Sequence, residues 1–88
     1  MTVEEFVNDL KETEIDKTTE GCFLIFCKWK KDSDWTYSQT FESKESMLHS
    51  ASGINEDVFK RQHIVVAYVN PNWIQPYFEL LSTEDYDE

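Results

Sequence analysis

Gly21-Cys22-Phe23-Leu24-Ile25-Phe26-Cys27-Lys28-Trp29 is the longest apolar run in the chain, and the other elements have to be arranged around it. With a period of two, Cys22, Leu24 and Phe26 point one way while Phe23, Ile25, Cys27 and Trp29 point the other, so both faces are apolar. A strand of that kind lies in the middle of a sheet. The run is too short to cross a bilayer and too rich in aromatic and β-branched residues to read as a buried helix.

A second run of the same character, His63 to Val69, sets Ile64, Val66 and Tyr68 against Val65, Ala67 and Val69 and belongs beside the first. Between the two, Trp35, Tyr37, Gln39 and Phe41 alternate with Thr36, Ser38 and Thr40, which predicts a half-exposed strand after a hairpin loop at Lys30-Lys31-Asp32-Ser33-Asp34. Upstream, Thr2 and Glu5 have capping-box spacing, and Val3, Phe6, Val7 and Leu10 form a helical stripe, predicting a helix over about residues 3–14.

Ser43 is suited to cap a second helix whose stripe is Met47, Ala51, Ile54 and Val58, widened by Leu48 and Phe59. Gly53 either interrupts this helix at some cost or ends it, with a fresh start at Asn55. After a turn at Asn70-Pro71-Asn72, residues Trp73 to Leu81 form an edge strand, since Pro76 cannot donate to a ladder. Residues 82–88 are expected to fray as an acidic tail.

The fold class expected is α+β, in α-β-β-α-β-β order: a four-stranded antiparallel or mixed sheet with two helices packed on one face. Eighty-eight residues without repeat, linker or low-complexity segment make a single domain.

Eighteen Asp and Glu stand against eight Lys and Arg, for a net charge of −10. Disorder would be the first explanation of such acidity, but 40% hydrophobic residues, 15% aromatics and only two glycines and two prolines oppose it. The whole-molecule field disfavours DNA, RNA and anionic membranes and favours a basic partner. Cys22 and Cys27 fall on opposite strand faces roughly 16 Å apart, beyond disulfide reach, and are read as buried free thiols. With an acidic N-terminus lacking an apolar stretch, they point to a cytoplasmic, reducing compartment without a signal peptide.

Little in the chain suits catalysis. His49 and His63 have no second His or Cys at ligand spacing, so no metal site is expected; His49 falls on the solvent face of its helix and His63 at a strand start. Neither cysteine has a cationic neighbour that would make a thiolate, and two glycines cannot build a phosphate-cradling loop. Carboxylate pairs are uninformative among eighteen acids, and short loops offer no walled cleft. No enzymatic activity and no cofactor are expected. Lys28, Lys30 and Lys31 with Trp29 and Trp35 form one locally basic aromatic spot, read as a hairpin tip whose lysines pair with Asp32 and Asp34.

The acids themselves carry the functional reading. Glu5, Asp9, Glu12 and, if the helix continues, Asp16 form a line with steps of roughly 4.5 to 6 Å along the axis, of the same order as phosphate spacing on a nucleic-acid strand. Asp32, Asp34, Glu79, Glu84 and Asp85 add charge at the hairpin tip and C-terminal end, as do Asp87 and Glu88. Trp35, Trp73 and Tyr77 are the aromatic anchors a docking surface would need.

The expectation is therefore a non-enzymatic inhibitor or regulator that sets carboxylates in the basic, nucleic-acid-binding site of a partner, a nucleic-acid mimic of the kind bacteriophages use repeatedly. An immunity protein or antitoxin neutralising a nuclease toxin is the alternative, and a structural adaptor subunit a third. An edge strand bearing Trp73, Tyr77 and Phe78 also leaves room for a homodimer.

Overall fold

The computed structural model describes residues 1–15, 21–31, 34–70 and 78–83. Four strands, β1 (Cys22–Trp29), β2 (Tyr37–Phe41), β3 (Gln62–Val69) and β4 (Phe78–Ser82), make one sheet in the order β2-β1-β3-β4. Every neighbouring pair is antiparallel. The two strands that are apolar on both faces are the central pair, in register from Cys22 opposite Val69 to Trp29 opposite Gln62.

Helix α1 (Val3–Glu12) is fixed at its start by a closed capping box. The Thr2 hydroxyl oxygen accepts from the Glu5 N–H at 3.1 Å, and Glu5 Oε1 accepts from the Thr2 N–H at 2.8 Å. The helix stops at Glu12 rather than 14 because Thr13 is extended and its hydroxyl donates back to the Asp9 carbonyl at 2.8 Å. Its buried stripe is Val3, Phe6, Val7 and Leu10, as the spacing predicts.

The second helical region is broken at Gly53 into α2 (Lys44–Ser52) and α3 (Glu56–Arg61). Asn55 restarts it, its Oδ1 accepting from the N–H groups of Asp57 at 2.9 Å and Val58 at 3.4 Å. α3 then runs into β3 with no intervening residue. Leu10, Phe6, Met47, Ala51 and Phe59 from the helices meet Phe23, Ile25, Ile64, Val66 and Tyr68 in one core. All three helices therefore pack on the same face of the sheet. On the other face, Leu24 and Phe26 of β1 are half-buried while Val65 and Ala67 of β3 are buried.

Three local expectations change. β2 starts only at Tyr37, and the Thr36 N–H and hydroxyl reach the Cys27 carbonyl at 3.0 and 3.4 Å. Trp35, freed from strand alternation, lies on the face away from the helices, against Phe26, instead of sharing a side with Phe41.

Ser82 is the last residue of β4 and Thr83, just beyond it, is tied to β3 and does not fray: its N–H donates to the Ile64 carbonyl at 2.8 Å and its hydroxyl accepts from Ile64 N–H at 2.7 Å. β4 is an edge strand with a register shift opposite Val66 and Ala67. The expected strand residues 73–77, the turn at Pro71-Asn72 and the tail from 84 lie outside the described residues. Finally, both cysteines are free, but only Cys27 is buried; Cys22 is half-buried.

Candidate functional site

Of the acidic line foreseen along α1, Glu5, Asp9 and Glu12 are all exposed, opposite the buried stripe, with Glu4 beside them. Asp16 lies outside the described residues. The chain folds this way locally because the stripe of Val3, Phe6, Val7 and Leu10 leaves only polar positions to face water.

The helix beneath those carboxylates is held at both ends. At the N-terminus, Glu56 Oε2 accepts from Val3 N–H at 2.8 Å across the α1–α3 junction. At the C-terminus, Lys44 Nζ donates to the carbonyls of Lys11 at 3.1 Å and Thr13 at 2.6 Å. Both contacts match the helix dipole, with an anion at its positive end and a cation at its negative end.

Residues 1–15 and 42–57, which contain α1, α2 and the first turn of α3, carry nine carboxylates, Glu4, Glu5, Asp9, Glu12, Glu14, Glu42, Glu45, Glu56 and Asp57, against Lys11 and Lys44. The ammonium of Lys44 is committed to the α1 carbonyls. With Lys60 and Arg61 at the far end of α3 included, the described helix layer sets these nine carboxylates against four cations.

Glu5 has a second duty, the one its capping-box spacing implies. Hydrogen bonds from Thr2, first from its backbone N–H and then from its hydroxyl, hold the Glu5 carboxyl below the usual carboxylate range. It is therefore a structural cap as well as a surface charge.

Of the remaining foreseen residues, those that are described do not join this surface. Asp34 and Trp35 lie in the connection between β1 and β2. Glu79 is on β4 opposite Ala67, on the sheet face away from the helices. Asp32, Trp73, Tyr77, Glu84 and Asp85 lie outside the described residues.

Trp35 instead organises a different cluster. Its ring is 6.1 Å from that of Phe26 and 5.3 Å from that of His63, and Lys28 Nζ sits 4.9 Å from its centroid. His63 is buried, and its Nε2 lies 2.7 Å from Ser82 Oγ. These residues are a strand start, a strand end and a connection, far apart in sequence; only the antiparallel register, with Lys28 opposite His63, brings them together.

A shallow groove of about 270 Å³ opens on the helix side, lined by Ile25, Cys27, Gln39, Ile54, Val58 and Gln62. Its one thiol is a poor nucleophile, since burial pushes the Cys27 pKa up. Among the described residues no group of three or more His, Cys, Asp and Glu is arranged to hold a metal ion, and no helix is long and apolar enough to cross a membrane.

No family model, curated protein or solved structure matches the chain.

Proposed function

We propose that this protein is a non-enzymatic inhibitor or regulator that presents the carboxylates of its helix layer to the basic, nucleic-acid-binding groove of a partner protein. The observation that supports the reading is the outward row of Glu5, Asp9 and Glu12 on a helix braced at both ends and backed by a continuous core. A rigid row loses little conformational entropy on docking, which favours binding over the same charges on a disordered tail. Charge speeds the encounter and makes it salt-sensitive.

The test is competition. A candidate nucleic-acid-binding protein, captured on the wild-type chain at low salt, should release labelled DNA or RNA as the chain is titrated in. Asp9→Lys with Glu12→Lys should weaken that displacement at least tenfold, about 1.4 kcal/mol. Those two positions are chosen because reversing Glu5 would also open the cap. A captured partner that holds its nucleic acid undisturbed, or is bound equally by the reversed variant, overturns the reading.

A further inference from the structure

The acidic composition conceals one end where most of the chain's cations gather. β1 ends where β3 begins, with Lys28 opposite His63 and Trp29 opposite Gln62, and the Lys30 N–H donates to the Arg61 carbonyl at 2.9 Å beyond the last strand pair. Because α3 runs straight into β3, Lys60 and Arg61 are delivered to the same edge as Lys28, Lys30 and Lys31. Five of the eight Lys and Arg in the chain therefore converge on one end.

Two tryptophans border that end. Trp29 is 42% exposed and Trp35 47% exposed, values high for a side chain that is on average well buried. Strand alternation puts Trp29 on the side of Cys27, and Trp35 packs on the opposite side over Phe26. The end of the β1–β3 ladder, with Lys30 bonded to Arg61, lies between them.

Part of this charge has a local use. Lys60 and Arg61 sit at the negative end of α3, and Lys28 lies over the Trp35 ring. A six-residue helix needs no such concentration at its end, and Lys30 and Lys31 belong to neither arrangement. Asp34 and Asp57 are the carboxylates nearest in sequence to these groups among the described residues.

We propose that this end is a binding site for a short single strand of nucleic acid, with Lys30, Lys31, Lys60 and Arg61 on its phosphates and a base stacked on Trp29. Cations beside an exposed indole supply the two elements that sequence-tolerant single-strand recognition requires. An acidic peptide would use the cations but leaves the exposed ring surface without a matching planar group. The net charge of −10 keeps the affinity modest and confines binding to the strand segment that the edge itself touches. The site is independent of the function proposed above, since it uses none of the helix-layer carboxylates.

The experiment titrates the full chain with an oligothymidylate about 12 nucleotides long, within the ~4–16 nucleotides that small single-strand-binding folds occupy, following tryptophan fluorescence at low salt. Saturable quenching is expected, with a log–log salt slope of roughly −2 to −3 for three to four phosphate contacts. Trp29→Ala should weaken binding about tenfold, and Lys60→Glu with Arg61→Glu, both exposed, should weaken it more, each with a melting transition that confirms folding. Polyglutamate of equal charge should compete poorly. Absence of quenching overturns the proposal. So do affinity unchanged by both variants, or polyglutamate competing as well as the oligonucleotide, which would mark the end as a site for acidic protein segments.

Discussion

Lys44 Nζ donates to the carbonyl of Thr13 at 2.6 Å, so the first residue of α2 closes the C-terminal end of α1. Because the last carbonyls of a helix have no intrahelical donor, Lys44→Met should cost about 1–2 kcal/mol, combining a charged hydrogen bond with the dipole interaction. Urea denaturation measures the loss. Lys44→Arg should recover much of it, and an unchanged midpoint in Lys44→Met would show that water replaces the ammonium without penalty.

The cap at the other end of α1 makes stability depend on pH. The folded-state carboxyl of Glu5 is held below its ordinary pKa of about 4.3. Its contribution is therefore complete above the unfolded value and is lost as pH falls through the lower folded value. Glu5→Gln should flatten the acid limb of the stability curve, below the unfolded carboxylate pKa. Thr2→Ala should destabilise at every pH by about 1 kcal/mol. A Glu5→Gln curve parallel to wild type would exclude the coupling.

Gly21 stands at the entry to β1 for want of room. A Cβ there would collide with the Val69 carbonyl oxygen and come within 2.9 Å of Tyr68 Cζ. Gly21→Ala should accordingly destabilise by roughly 1–3 kcal/mol through overpacking, whereas Gly53→Ala, whose nearest neighbour is at 3.6 Å, should be far milder. Thermal melts of the two variants side by side test the contrast.

Phe6 is fully buried, with its ring centroid 5.5 Å from that of Phe59. It joins α1 to α3 through the core. Phe6→Ala should cost about 3–5 kcal/mol, a large share of the roughly 5–15 kcal/mol that holds a domain of this size together. Circular dichroism in denaturant would reveal either a sharply lowered midpoint or a chain unfolded at room temperature.

The two thiols should separate by rate. Cys27 is buried and its pKa is raised by burial, whereas Cys22 is half-buried. A disulfide-exchange reagent at mildly alkaline pH should modify one thiol per chain quickly and the second only as the chain opens. Equal rates for both would contradict the packing around Cys27.

Patterns confined to one element were legible in the sequence. The Thr2–Glu5 box, the stripe of α1 and the two-faced apolarity of β1 and β3 rest on short-range spacing, the edge position of the last strand was read from Pro76, and all of them recur in the fold. The break at Gly53 was one of two readings, decided by the Asn55 cap.

What escaped depended on register. Trp35 could be assigned to the wrong face because alternation was carried two residues beyond the true start of β2. Thr83 looked like tail because its partner, Ile64, is nineteen positions away. The meeting of Lys60 and Arg61 with Lys30 and Lys31 was invisible for the same reason: no periodicity links residues 30 and 61, only the pairing of β1 with β3.

That pairing also governs how the chain finds its shape. The middle of the sheet is sealed by strands separated by β2, α2 and α3, so the adjacent β1–β2 ladder can form early while the central seam must wait for a long loop to close. Refolding on the millisecond-to-second scale is the expected result, and conservative truncations within β3 should slow it more than equal truncations in β2 or β4.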